Sequence, residues 1–331
     1  MTSSSEVARD TDRSGTLPAL VTLGETMCVF HSEHIGPLRH NKSMRLAVGG
    51  AETNVAIGVR RLGVSSAWIG RVGDDPMGEL IARELRAEGV DVTALHVDRT
   101  APTGIMVKER RTAKVSRVFY VRSNSAGSQL QPDDVSRELV EGARVLHVTG
   151  ITPALSESAH AAVHHAINVA RSAGVMVSFD LNHRIGLWTA EDAAEQFRTI
   201  AALADVVFAS HHEAQMVVGD LDAPGCAVAL SELGPKQVVI KQGELGYTAL
   251  IQGCEYAAPA VVVPVVDPVG AGDAFVAGYL ASLIRGEPPE VALQVANTLG
   301  AFAVSVPGDW EGLPSVAELA LLDSLGDVVL R

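Results

Sequence analysis

The sequence predicts an α/β fold: a mostly parallel sheet with helices on both faces, joined by a small β element. Two observations carry this expectation. Beyond about residue 140, short apolar runs alternate regularly with segments of helical period, and strands that alternate with helices pair in parallel beneath a helical cover. Residues 103–122 differ, alternating apolar and polar side chains around a basic turn. That is the pattern of a half-exposed antiparallel hairpin.

The elements follow in order. Residues 1–18 are polar, lack the apolar stretch of a signal peptide, and are expected to be a disordered tail. ALVTLGETMCVF reads as one buried strand, and AETNVAIGVRRLG as a helix stopped by Gly63. SAWIGRVG is a strand, and Asp74-Asp75-Pro76 supplies the cap and first turn of the next helix. The hairpin of 103–122, with parts of 35–50, forms the accessory β element. ARVLHVTG, VMVSFDLN, ADVVFAS and KQVVIKQG are then strands, with helices such as SESAHAAVHHAINVARSAG and AEDAAEQFRTIAALA between them. A last strand, APAVVVPVV, feeds a turn at Gly270-Ala271-Gly272 and a helix from about Asp273 to Ile284. Ligands of such sheets bind beyond the carboxyl ends of the strands.

Composition narrows the function. Of the 331 residues, 47% are hydrophobic and 20% charged, enough for a sizeable core and too apolar for global disorder. A net charge of −13 opposes nucleic acid or an anionic membrane as partner, so an anionic substrate would need a locally basic pocket. Cys28, Cys226 and Cys254 lie far apart with no CxxC, as expected of buried thiols in a reducing compartment. With no uncharged run long enough to span a bilayer, the expectation is a soluble cytoplasmic protein.

No Walker A loop, HExxH, G-x-S-x-G or complete GxGxxG is present. Phosphate chemistry would fall to DPVGAGDAFVAGYL, from Asp267. Free N–H groups at a helix start, backed by the dipole, form an anion site, and glycines let that backbone approach an oxygen. A tight turn with Asp273 as an ordinary N-cap fits the same letters. Asp273 beside an anion site could instead accept a proton from a hydroxyl attacking phosphorus, and the positive helix end would hold it ionised.

DPVGAGDAFVAGYL resembles the C-terminal signature of ribokinase-like, PfkB-type sugar kinases, and GGAETNVAIGVRRLG, from Gly49, resembles their N-terminal one. The likeness runs from about Leu20 to Pro314. It implies a ribokinase-like three-layer sandwich over residues 19–331 with a small β-sheet lid. Within the family, FYVRSNSAGSQL, HVTGITPALS and FDLNHR are similar to the 2-keto-3-deoxygluconate kinases.

The resemblance implies ATP-dependent phosphorylation of a sugar acid at its terminal hydroxyl, with Mg²⁺ and, near Asp267 and Val269, a possible monovalent-cation site. It assigns the catalytic base to Asp273 and the N–H cradle to Gly270, Ala271, Gly272 and Asp273. The sugar-acid pocket comprises Gly49, Gly50, Asn54, Tyr120, Arg122, Asn182, Arg184 and Asp309. Arg122 and Arg184 offer planar multi-donor contacts to a carboxylate, and Arg184 could also touch the phosphoryl group. On the nucleotide side stand Ser210, Lys241, Gly243, Gly246 and Asn297, with Glu213 acting on Mg²⁺ through water. Met106, Val121 and His183 depart from tyrosines common in these relatives, which leaves the exact sugar open. The alternatives are a fructokinase, ribokinase or 5-dehydro-2-deoxygluconokinase type, or a catalytically silent sugar sensor. The exposed lid predicts a homodimer, because a two-faced hairpin is poor at stabilising itself.

Overall fold

The computed structural model describes residues 17–112 and 115–323. Most of the predicted tail (1–16), the tip of the predicted hairpin (113–114) and the C-terminal residues 324–331 lie outside the described residues.

The first apolar run does not form one strand. It divides into β1 (Leu20–Leu23) and β2 (Met27–Ser32), which belong to different sheets. The break is Gly24-Glu25-Thr26, whose polar side chains are buried and hydrogen-bonded; Thr26 Oγ1 donates to Thr53 Oγ1 at 3.1 Å. β3 (Met44–Gly49) precedes α1 (Ala51–Arg61). β4 (Ser66–Gly73) precedes α2 (Pro76–Ala87), where Asp75 caps by accepting from the N–H groups of Met77 and Gly78. β5 (Leu95–Asp98), β6 (Ile105–Arg110) and β7 (Ser116–Val121) follow.

The regular alternation then appears as α3 (Arg137–Gly142), β8 (Val145–Thr149), α4 (Glu157–Ser172), β9 (Met176–Asp180) and α5 (Ala190–Ala201). It continues through β10 (Val206–Ser210), α6 (His211–Val218), α7 (Ala223–Ser231) and β11 (Gln237–Lys241). β12 (Tyr247–Ile251) and β13 (Cys254–Ala258) close the sheet, and α8 (Ala271–Arg285) and α9 (Pro289–Val304) pack together behind it. APAVVVPVV is not a strand beyond Ala258. Pro259 and Pro264 lack ladder donors, Val262 is 95% exposed, and the chain runs there as irregular backbone.

The nine-stranded sheet has the order β13-β12-β11-β10-β9-β8-β1-β4-β5. Its strands all run parallel except β12, which is antiparallel to both of its neighbours, β11 and β13, near one edge. Strand periodicity divides the core into two layers. Val207 and Ala209 pack with α4 to α7, whereas Val206 and Phe208, pointing the other way, pack with α1, α8 and α9. The result is a three-layer sandwich. Cys28 and Cys226 are buried, but Cys254 on edge strand β13 is exposed, contrary to expectation. Among the described residues no helix is long and apolar enough to cross a membrane.

A second sheet has the order β3-β2-β6-β7. β3, β6 and β7 fall within 35–50 and 103–122, while β2 lies outside both ranges. One side of this sheet faces the carboxyl ends of the parallel strands across a cleft.

Candidate active site

The cleft has a volume of about 470 Å³. The start of α8 forms part of its wall. Gly270, not Asp273, is the N-terminal cap: its φ is 81° and no side chain caps the helix. A side chain at Gly270 would collide with the Asp309 carbonyl oxygen, so positive φ and close approach both require glycine. Asp273 is the third residue of the helix, and the uncapped N–H groups of this turn are available to an anion. Ala271 belongs to this turn without lining the cleft, whereas Gly270, Gly272 and Asp273 line it.

Asp273 is buried. Its Oδ2 accepts from Asn54 Nδ2 on α1 at 2.8 Å, and its Oδ1 accepts from Asn182 Nδ2, just past β9, at 3.4 Å. Asn182 has φ of 39°, the left-handed region that a short amide side chain tolerates. The helix end was expected to hold Asp273 ionised, and burial works against it. Desolvation pushes the Asp273 carboxyl up to about 6, against the pull of Asn54, Arg184 and Lys241 and with Asp309 adding to the rise. Such a group is still mainly ionised at neutral pH and is a stronger base than an ordinary carboxylate.

The structure brings Gly50, Asn54, Tyr120, Arg122, Asn182, Arg184, Asp273 and Asp309 to one cleft. Gly49 lies behind it, against Asp309. Two of the charged groups are already matched. Arg122 is paired with the buried Glu25, and Asp309 with the Lys108 ammonium on β6. Among the described residues Arg184 has no ion pair and stands exposed at the cleft. It is the cation free to meet an incoming anion.

Tyr120 stacks beneath the Arg122 guanidinium, 5.4 Å from ring centroid to Cζ. Of the three departures from tyrosine, only Met106 lines the cleft; Val121 is exposed elsewhere. The His183 ring lies edge-on to Phe197, away from the cleft lining.

Lys108, Glu25 and Glu52 were missed from sequence. Met106 and Lys108 share one face of β6 by strand period, which was a usable signal. The polar Gly-Glu-Thr break in an apolar run was another. Glu52 is fully buried at the cleft floor, where Thr149 and Thr152 hydroxyls each donate to its Oε1 at 2.7 Å. Burial raises its carboxyl above the usual range, and the threonines only partly offset this.

On the other side, Ser210, Lys241 and Asn182 sit at or just past the carboxyl ends of β10, β11 and β9, where ligands of parallel sheets bind. Ser210 and Glu213 form a reciprocal capping box on α6, and the second Glu213 oxygen accepts from the His183 N–H at 2.8 Å. Lys241 Nζ donates to Asp180 at 2.7 Å. Burial opposes the Lys241 charge, but the Asp180, Glu213 and Asp273 carboxylates outweigh it and hold the ammonium above its usual pKa.

Gly243 lines the cleft; Gly246 does not, and serves the turn into β12 with φ of 96°. Asn297 also stands off the cleft, where its amide donates to the Pro259 carbonyl at 2.8 Å. Asp267 Oδ1 accepts from the N–H of Val269, a cleft residue. Among the described residues no group of three or more His, Cys, Asp or Glu is arranged to hold a metal directly. Ser210 and Glu213, which line the cleft with Lys241, carry hard oxygen donors of the kind that hold magnesium through water.

The chain matches the pfkB family carbohydrate kinases over residues 18–316. It is 37% identical over 311 residues to a 2-dehydro-3-deoxygluconokinase of Bacillus subtilis (strain 168), covering 91% of this chain and 94% of that protein. It is 39% identical over 307 residues to a 2-dehydro-3-deoxygluconokinase of Thermoproteus tenax, covering 91% and 92%. A crystal structure of a ribokinase II-type protein from E. coli, in complex with ATP and Mg²⁺, superposes with a TM-score of 0.87 at 25% identity, covering 93% of this chain and 99% of that one. Sugar kinases of this fold use ATP and Mg²⁺. With two signatures meeting at one cleft and the match running through both sheets, the chain belongs to the PfkB family of carbohydrate kinases, phosphotransferases that act on a sugar hydroxyl.

Proposed function

We propose that this kinase phosphorylates a 2-keto-3-deoxy sugar acid at its terminal hydroxyl, with 2-keto-3-deoxygluconate as the preferred substrate. The observation that carries the reading is a cation, Arg184, that among the described residues has no ion pair at the cleft of a protein whose net charge is −13. The substrate carboxylate satisfies it, with Arg122 and Tyr120 completing the acid-binding end.

Asp273 accepts the proton of the attacking hydroxyl through its carboxylate, held in place by the amides of Asn54 and Asn182. The N–H groups at the start of α8 and the Lys241 ammonium receive the charge that develops on the transferring phosphoryl oxygens. Magnesium, when bound, neutralises the nucleotide's phosphates. Glu213 would hold it through water, its carboxylate fixed by the N–H groups of Ser210 and His183.

A fructokinase-type reading for a neutral sugar has one observation in its favour: Arg122 and Lys108 are already neutralised by Glu25 and Asp309. ATP consumption measured with 2-keto-3-deoxygluconate, its galactonate epimer, 5-dehydro-2-deoxygluconate, fructose and ribose separates the readings. A higher kcat/KM for a neutral sugar rejects the sugar-acid assignment. Sugar binding without turnover would identify a sensor.

A further inference from the structure

The chain passes between the two sheets four times: from β1 to β2, from β3 to α1, from β5 to β6, and from β7 back toward α3. Glu25 meets all four passages. It lies on the first, between β1 and β2. On the second, Gly50 packs so closely on the Glu25 carbonyl oxygen that no side chain fits. On the third, a side chain at Gly104 would collide with Glu25 Oε1. On the fourth, Arg122 Nη2 pairs with Glu25 Oε2, Ser125 Oγ donates to Oε1, and Gly127 packs on its Cγ.

Glu25 is 3% exposed, so its charge has no solvent to fall back on and is answered by Arg122. Arg122 lines the cleft, and its buried Nε has no partner among the described residues. The guanidinium is thus anchored through Nη2, which fixes where it stands in the cleft wall. Tyr120 supports its face.

We propose that Glu25 is a positioning residue for the sugar site, aiming the Arg122 guanidinium at the substrate and tying that aim to the placement of the second sheet. It acts through Arg122 and takes no proton in the reaction. The proposal rests on the sugar-site reading given above only for the role of Arg122. A carboxylate beside a substrate-binding arginine could act in the opposite sense, by simple repulsion of an acidic substrate. The two roles predict opposite signs.

The test is a double-mutant cycle of Glu25→Gln and Arg122→Ala, with sugar KM, ATP KM and kcat measured for each protein. Glu25→Gln keeps the shape and the Ser125 contact while losing the charge-assisted pair with Arg122. The expected result is a sugar KM raised about tenfold or more, with the ATP KM unchanged. The same substitution made in the Arg122→Ala protein should have little further effect on sugar KM. A sugar KM that falls or stays level in Glu25→Gln overturns the proposal. So does an equal rise with and without Arg122, which would mark Glu25 as merely structural.

Ser125→Ala provides a second variant should Glu25→Gln fold poorly, since it removes one anchor of the carboxylate and leaves the charge. A sugar KM raised about two- to fivefold is expected, again only when Arg122 is present; no rise overturns the proposal. The cycle is run on whichever sugar the wild type turns over best. Failure of the sugar-acid reading therefore appears in the substrate panel, and failure of the Glu25 proposal in the coupling.

Discussion

Asp273→Asn separates what the carboxylate does for chemistry from what it costs the fold. Because Asp273 is buried in the first turn of α8, the variant is not the neutral cap exchange that the letters suggest. A carboxyl raised from 3.8 to about 6 disfavours the folded state once ionised. The shift is worth about 3 kcal/mol, since each pKa unit corresponds to roughly 1.4 kcal/mol. The sign follows from proton binding. Below the unfolded pKa both states are protonated and no penalty exists; as pH rises from about 4 to 6 the penalty grows, and above 6 it is constant.

Asparagine carries no such penalty. It keeps an oxygen for the 2.8 Å bond from Asn54 and presents its own NH₂ toward Asn182, where the contact is already long at 3.4 Å. Disturbing that contact costs about 1 kcal/mol. Asp273→Asn should therefore be more stable than wild type by roughly 1–2 kcal/mol near pH 8, with the advantage gone near pH 4. Turnover should drop by about a hundredfold to ten-thousandfold, the usual share of a general base, with smaller changes in sugar and ATP affinity. Urea unfolding at the two pH values and steady-state kinetics check both halves. A stability difference that does not change with pH refutes the buried-charge argument. Turnover within a few-fold of wild type refutes the catalytic base.

Four further outcomes are expected. In wild type, kcat/KM should rise with pH through about 6 and then level, as the Asp273 carboxyl loses its proton. Arg184→Ala removes an attraction that lowers this pKa, so its acid limb should move upward, and a pH profile of both proteins checks it. Arg184→Ala should also weaken binding of the sugar acid about tenfold to a hundredfold while sparing neutral analogues, measured by calorimetry; equal losses for both sugar classes would remove Arg184 from carboxylate recognition. Finally, Phe119 and Val121 on β7 and Leu46 on β3 leave apolar area exposed on the face of the second sheet turned away from the cleft. A homodimer formed through that sheet should appear in sedimentation at micromolar concentration, and Phe119→Lys should shift it to monomer. A monomeric wild type would reject the dimer.

Local physics was legible in the letters. Asp75, Ser156 and Thr189 cap α2, α4 and α5 through side chains that accept N–H groups two or three residues on, so their signal lies within one turn. β8 to β11 announced themselves as apolar runs between helical periods, and the alternation implied the parallel order. The letters of Gly270 to Asp273 fitted both a tight turn and an anion site, and the resemblance to the PfkB-type signatures decided between them.

What depends on distance in space was not legible. An apolar run has the same period whether it stays in one sheet or crosses to another, so the division of β1 from β2 was hidden. Val-rich residues 260–266 satisfy a strand pattern, yet Pro264 within them, Pro259 just before them and the lack of a partner strand leave them irregular. Lys108 and Asp309 stand 201 residues apart in the chain, and Glu25 lies far in sequence from Arg122. Only the folded cleft makes each of these a charge pair. The same holds for the pKa of Asp273: the helix end was visible in the sequence, but the desolvation that overrides it comes from surrounding elements, and their packing exists only in three dimensions.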